Sequence, residues 1–371
     1  MKTYTVFFLS VLASLFSSAQ TITQECATAP SQGWANQLKQ AMLHLPATSL
    51  KTATPVQIPY QVHLFMKADS TSNLSLQDIY HEIDTVNAFY ANSNMFFYEC
   101  APPELIVDDS LYNYSSNTEE PILLNDHYTP YILNMYFPNT ASVSNTMVCG
   151  YSKFPPSADL VVIASSCATN GSTLAHEIGH YFGLLHTHQV FGIGELVDGS
   201  NCSSDGDFIC DTPADPTLSY TNVSASCTYT GTAVDANNMP YVPDITNIMS
   251  YSRKECRFYF SPTQYSVINN TMQTDRSYLF CSFGVGVKEL ISNAVVNLFP
   301  NPGCDELIIS AEVPLTEASI KLYNTTGDLV FTGYFNGTNY KVDTTELPSG
   351  IYFYSLVTSS SASSGKWVKV K

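Results

Sequence analysis

His176-Glu177-Ile178-Gly179-His180-Tyr181-Phe182-Gly183-Leu184-Leu185-His186 is the stretch on which the reading of this chain turns. On a helix, residues four apart share one face, so His176 and His180 present their rings to the same side. Glu177 follows the first histidine and can reach a water on a bound metal without ligating the metal itself. A third ligand cannot sit on the same turn, so the chain has to leave the helix. Gly183 permits that exit, because glycine alone takes a left-handed turn without penalty. His186 then completes a three-nitrogen set with one position open, the arrangement of catalytic rather than structural zinc. Leu174, Ile178, Tyr181, Phe182 and Leu185 supply a dry surrounding, which strengthens the electrostatics of such a site. The alternative is a core helix that happens to carry histidines. A bare HExxH arises by chance in about one such chain in a hundred, and the added glycine and third histidine lower that about a thousandfold.

Working downstream, Thr187 to Asp244 is a long irregular stretch dense in Gly, Pro, Asp, Asn and Cys. A structureless loop of that length is unusual in a compact domain, and disulfides or bound ions are the usual ways to hold one. It reads as a stapled functional segment. After it comes Asn247-Ile248-Met249-Ser250-Tyr251. A zinc motif of the HExxHxxGxxH type followed at a distance by a methionine turn is the metzincin signature. Met249 then offers a soft floor beneath the histidines, and Tyr251 can bring its hydroxyl near the metal.

Upstream, alternation predicts a strand over Ile58–Met66, and helical spacing predicts a helix over Leu76–Tyr90. Strand-like runs follow at Asn94–Glu99, Tyr131–Phe137 and Leu160–Ala164, before a helix covering about Thr173 to Leu185. Residues 20–55 are rich in Thr, Ala and Pro with one helical stretch, Trp34–Leu45, and read as a pro-segment or N-terminal extension. Residues 1–19 combine Lys2, the short apolar run Val6–Phe16 and the small residues Ser17-Ser18-Ala19, as an export signal does. No later segment is apolar enough to span a bilayer.

The chain has 371 residues, with hydrophobic residues at 44% and charged residues at 13%, which is a folded rather than a disordered composition. Its formal net charge of −17 argues against nucleic acid or an anionic membrane surface as partner. Ten cysteines suit an oxidising compartment. Eight of them, Cys100, Cys149, Cys167, Cys202, Cys210, Cys227, Cys256 and Cys281, lie mid-chain and could make four bridges of unreadable connectivity, while Cys26 and Cys304 are outliers.

Character changes near residue 284. Beyond a linker at 284–294, residues 295–371 hold short strand candidates: Val295–Phe299, Glu306–Ser310, Ser319–Tyr323, Leu329–Tyr334, Tyr340–Asp343, Ile351–Val357 and Lys366–Val370. Turn signals such as Asn301-Pro302-Gly303 and Thr326-Gly327-Asp328 punctuate them, as in a small all-β sandwich. The fold expected is therefore an α/β (α+β) metzincin-type zinc protease domain over 56–283, with a mixed sheet and an active-site helix, followed by that sandwich.

His186-Thr187-His188, Gly206-Asp207-Phe208-Ile209-Cys210-Asp211-Thr212-Pro213-Ala214, the Met249 turn and Cys149-Gly150-Tyr151-Ser152-Lys153-Phe154-Pro155 together resemble the pappalysin (cytophagalysin) branch of the metzincins. The resemblance implies an extracellular endopeptidase acting on proteins or peptides, with calcium as a second cation near Asp207, Asp211 and Thr212. The alternative role of those three is to cap turns through side-chain oxygens. It also implies that Tyr251 steadies the oxyanion or moves aside for substrate. Asn297-Leu298-Phe299-Pro300-Asn301-Pro302, Ile320-Lys321-Leu322-Tyr323-Asn324, Leu347-Pro348-Ser349-Gly350-Ile351-Tyr352 and the terminal Lys366–Lys371 resemble the type IX secretion sorting domain. That implies export through the periplasm by the type IX machinery to the medium or cell surface.

The expected chemistry is peptide-bond hydrolysis by a zinc-bound water, with Glu177 taking its proton and passing it to the leaving amine. A surface-displayed binding protein that retains the fold without activity is the competing reading. Cys26 lies in the segment expected to be removed, and its thiolate could fill the open zinc position as a latency ligand. An ordinary disulfide is the alternative.

Overall fold

The computed structural model describes residues 24–43, 45, 55–281, 296–358 and 362–370. The expected export signal and the expected linker at 284–294 lie outside the described residues.

The described residues start with a short strand, β1 (Gln24–Cys26), and a helix, α1 (Gln32–Met42), whose first turn is capped by the Ser31 side chain. Strand β2 (Val56–Met66) leads to α2 (Leu76–Tyr90), which starts at a Ser75–Asp78 capping box. Then come β3 (Met95–Glu99), β4 (Glu104–Val107), α3 (Asp109–Tyr112), β5 (Asn113–Ser115) and α4 (Ser116–Asp126). Strands β6 (Leu133–Phe137), β7 (Thr140–Val143), β8 (Thr146–Ser152) and β9 (Leu160–Ile163) follow. Helix α5 (Thr173–Tyr181) and helix α6 (Pro262–Thr274) close this part of the chain.

These strands form one mixed sheet in the order β3-β2-β6-β9-β8-β7-β5, with β4 on β2 and β1 on β8. Central β6 and β9 are buried along their whole length, which is why they read as continuous apolar runs. One core cluster packs α1, α2, α5 and α6 against the sheet through Trp34, Ile83, Tyr90, Phe97, Ile178, Phe182 and Ile268. A smaller cluster around Phe65, Tyr114, Tyr136 and Val162 covers another part of the sheet.

Several boundaries differ from the sequence reading. Helix α5 stops at Tyr181 rather than Leu185, because Gly183 at φ +93° reverses the chain and its N–H bonds back to the His180 carbonyl. The strand expected from Tyr131 starts at Leu133, since Tyr131 takes φ +68°. Asn94 likewise turns left-handed, so β3 starts one residue later. Strands β4, β5, β7 and β8 were not foreseen. Strands β4 and β5 are short and pair with β2 and β7, distant in sequence, while β7 and β8 form a hairpin through Ser144 and Asn145, both left-handed.

The mid-chain cysteines form four bridges: Cys100–Cys281, Cys149–Cys167, Cys202–Cys210 and Cys227–Cys256. The last two staple the irregular stretch, where isolated bridges at Val223–Tyr229 and Val234–Pro240 are the regular pairings among the described residues. The first ties the end of the domain to the region after β3.

Helix α5 is also held by a buried charge cluster. Arg276, fully buried, donates to Asp159 at 2.8 Å and to the Ser157 and Lys153 carbonyls. Tyr181 on α5 donates to the same Asp159 oxygen at 2.7 Å, and the Arg276 guanidinium lies 4.0 Å from the Tyr181 ring centre. Removing one partner strands the other charge in the core. Asp159→Ala should therefore cost about 3–5 kcal/mol of stability, read as a lowered urea midpoint; a loss below about 1 kcal/mol would place Arg276 in reach of solvent.

The C-terminal part is all-β. It consists of β10 (Val296–Phe299), β11 (Glu306–Tyr323), β12 (Leu329–Asp343), β13 (Gly350–Val357) and β14 (Ala362–Lys369). All five are antiparallel, in the order β10-β11-β13-β14 with β12 on β11. Strands β11 and β12 each join two of the expected short strands, and register shifts at Ser310/Leu315 and Leu315/Ala318 interrupt their pairing. Trp367, Ile320 and Leu307 lie at the centre of its core.

Candidate metal centre

Every residue of α5 is buried, so its histidines sit in a dry interior. His176 Nδ1 faces the Ile248 carbonyl at 2.7 Å, and His180 Nδ1 faces the Leu184 carbonyl at 2.6 Å. Each carbonyl fixes its ring with the proton on Nδ1 and leaves Nε2 as a donor of its lone pair. Beyond Gly183 the chain brings in His186. Its Nε2 lies 3.0 Å from that of His180, which is 3.2 Å from that of His176. A tetrahedral site with 2.0–2.1 Å bonds spaces its nitrogens about 3.3 Å apart. Three lone pairs aimed at one point repel unless a cation stands among them, so the donor set fits zinc. Burial holds all three rings neutral, His180 down to about 3.

Glu177 is fully buried beside them. Its Oε2 accepts from the Thr28 hydroxyl at 2.9 Å and from the Cys26 thiol at 3.4 Å, while Oε1 has no hydrogen-bond partner among the described residues. Desolvation raises its carboxyl to about 8, against the lowering effect of those two donors. Cys26 Sγ and a ring nitrogen of each of the three histidines all lie within 4.8 Å of one another. Tyr251 stands over His186, ring centres 4.8 Å apart, and donates its hydroxyl to the Cys26 carbonyl at 3.0 Å.

Residues 138–272 match the family described as pregnancy-associated plasma protein-A. An extracellular metalloprotease of Arthroderma gypseum is 30% identical over 280 residues, covering 69% of this chain and 86% of that relative. The chain belongs to the pappalysin family. An extracellular metalloprotease of Arthroderma benhamiae is 26% identical over 286 residues, covering 70% of this chain and 87% of its own. Residues 297–370 match the secretion system C-terminal sorting domain. This pappalysin is thus a metallopeptidase of the cell surface or the medium. No helix among the described residues is long and apolar enough to cross a membrane.

Met249 lies fully buried beneath α5 of the pappalysin, and a Cβ on Gly179 would run into its sulfur. Gly179 was not singled out in the sequence, although its place between the two histidines is where the floor must approach. Gly150 was likewise passed over. It sits on β8 where an added Cβ would meet Val162 O at 2.9 Å and Glu177 Cγ at 3.1 Å.

The three residues considered for calcium are only partly brought together. Asp207 accepts from Thr212 Oγ1 at 3.0 Å and from Ile209 N–H at 2.9 Å. Asp211 turns away to the start of α6, accepting from Ser261 Oγ at 2.6 Å and Thr263 N–H at 2.9 Å. The acidic neighbours of Asp207 include Glu195, whose Oε2 is buried without a hydrogen-bond partner among the described residues, and Asp215. Sequence reasoning missed both, since they lie in the irregular stretch with no periodicity to mark them.

Proposed function

We propose that this pappalysin is a zinc-dependent endopeptidase in which His176, His180 and His186 hold the metal and Glu177 is the general base. The observation that carries this reading is the convergence of three imidazole Nε2 atoms, 3.0 and 3.2 Å apart, beside the buried Glu177 carboxylate. Zinc, when bound, supplies polarisation of the scissile carbonyl and acidity to a coordinated water. The protein's part is to aim, exclude solvent and move the proton. Glu177, buried one residue from His176 and beside the three nitrogens, can take a proton and return it to the leaving amine. Tyr251, flanking His186, steadies charge on the carbonyl oxygen once its hydroxyl is released from the Cys26 carbonyl. An intact base and ligand set count against a fold kept only for binding.

In the same reading, residues 20–55 are a pro-segment in which Cys26 blocks the metal, 56–283 are the catalytic unit, and 295–371 direct type IX export. The test is cleavage of a peptide library by the secreted, zinc-loaded protein. Cleavage should vanish with a zinc chelator and return on adding zinc. A folded, zinc-loaded, processed protein that cuts no peptide would overturn the reading in favour of a binding protein.

Calcium is proposed at the Asp207–Glu195 region, and linkage offers a check. Burial, reinforced by neighbouring carboxylates, raises Glu195 to about 9 and Asp207 to about 8. Between the ordinary carboxylate range and those values the folded chain binds more protons than the unfolded one, so stability falls as pH rises through that window. With a calcium-selective chelator, Tm should drop between about pH 5 and about pH 8. Added calcium should raise Tm at the upper end and flatten the slope. A slope indifferent to calcium would assign these carboxylates to turn capping.

A further inference from the structure

The residue before Cys26 fills a second feature of the cleft. Glu25 Oε2 lies 3.4 Å from Lys254 Nζ and 3.9 Å from an Arg257 terminal nitrogen. Arg257 is 3% exposed, and one of its nitrogens donates to the Ser250 carbonyl at 2.9 Å, but its Nε and Nη2 have no hydrogen-bond partner among the described residues. Lys254 is held from behind, its Nζ 2.9 Å from Cys149 Sγ and 3.6 Å from Cys167 Sγ of the bridge between β8 and the turn after β9. Glu25, Cys26, Thr173, His176, Glu177 and Arg257 close together around one small gap, so Arg257 and Glu25 stand beside the metal ligand and the base.

Three of the chain's 15 Lys and Arg residues fall within Arg253–Arg257. Arg253 is neutralised by Glu255 at 2.7 Å. Lys254 and Arg257 are not matched in this way by a permanent part of the catalytic unit. A buried guanidinium with two open donors is costly by itself, and a carboxylate that arrives there gains charge-assisted hydrogen bonds. Glu25 belongs to a strand paired with β8, Gln24 opposite Val148 and Cys26 opposite Gly150, so the chain continues past the pocket on both sides. The occupant is thus an internal side chain, not a chain end.

We propose that Lys254 and Arg257 form a cationic specificity subsite, which takes an Asp or Glu side chain of the polypeptide substrate next to the bond that is cut. Glu25 holds that place in the full chain. The proposal rests on the endopeptidase reading and adds the substrate's charge to it.

The experiment uses the zinc-loaded full chain carrying Glu25→Gln and Cys26→Ala, so that neither its own carboxylate nor its thiol competes. Quenched, C-terminally amidated peptides differ only in Glu, Gln or Lys at the residues flanking the cut, and one Gln peptide carries a free C-terminal carboxylate there. The Glu peptide should be cut about tenfold better than Gln in kcat/KM, and Lys worse than Gln. Adding Lys254→Gln, a change at a partly exposed side chain that leaves the core intact, should shrink the Glu-over-Gln ratio severalfold, mainly through KM. Lys254→Glu should reverse it. Equal cleavage of Glu and Gln peptides, or a preference for Lys, sinks the subsite and leaves the endopeptidase standing. A preference confined to the free-carboxylate peptide overturns the internal side chain as occupant. No cleavage of any peptide by the zinc-loaded chain, once processing has removed residues 20–55, overturns both readings.

Discussion

Glu177→Gln leaves zinc bound in stoichiometric amount and lowers kcat/KM by about a thousandfold. The expectation follows from geometry as much as from chemistry. Glu177 is fully buried, one residue from His176 on α5, and its Oε1 has no hydrogen-bond partner among the described residues. The amide keeps the volume and still accepts from Thr28, so folding and metal retention should be spared. What it loses is the ability to hold a proton between water and the leaving amine. The measurement is kcat/KM in a Cys26→Ala background, with zinc counted by atomic absorption. Activity within tenfold of the parent would remove Glu177 from the base role, and loss of zinc alongside activity would assign it to the metal's support instead.

The part of this site that was legible in the sequence is the part built from local geometry. His176 and His180 are four residues apart on a helix, and the positive φ of Gly183 is the turn that the third histidine demands. Helix α2 is legible end to end from its apolar period, and its start is fixed by the Ser75–Asp78 box that the structure shows. What lay hidden depends on long-range approach. Strand β8 carries Gly150, which weakens any strand signal, yet the gap left by that glycine is what admits Glu177 beneath β1 and β9. The four bridges could not be derived from spacing, because Cys100–Cys281 closes a separation of 181 residues and Cys202–Cys210 one of 8. Asp211 reads as a calcium ligand next to Asp207, but its oxygens accept from Ser261 and Thr263 at the start of α6, some fifty residues on, a long-range approach that spacing does not announce. Lys254 and Arg257 carry no signal in the sequence, because the carboxylate that meets them, Glu25, lies more than two hundred residues away.

The N-terminal segment is bound into the catalytic core rather than appended to it. Trp34 and Leu38 of α1 are buried in the main cluster, and the Trp34 indole N–H donates to the Gly183 carbonyl at 3.4 Å. Any blocking role for Cys26 therefore draws on a supported strand, with β1 paired to β8 and Ala27 N–H donating to the Gly150 carbonyl at 3.1 Å.

Cys26→Ala should accordingly turn a latent full chain into one that cleaves peptides without prior processing, raising basal turnover on the order of a hundredfold. Burial, and then the charge of Glu177, push the Cys26 thiol up, so its sulfur becomes a ligand only where a cation at the histidines pulls the proton off. Substituting cobalt for zinc supplies a readout independent of turnover. The full chain should carry a sulfur-to-metal charge-transfer band in the near ultraviolet, and Cys26→Ala should lack it. Because Thr28, Tyr251 and the β1–β8 pairing still hold the strand, the variant's remaining inhibition should weaken further with Thr28→Val, which removes the hydroxyl on Glu177 without touching the metal. Were Cys26 instead engaged in a disulfide, a reducing agent alone would release activity from the parent chain, and the cobalt spectrum would show no sulfur band before reduction. A parent chain that is already fully active, with Cys26 intact and the strand in place, would leave the thiol with no part in latency.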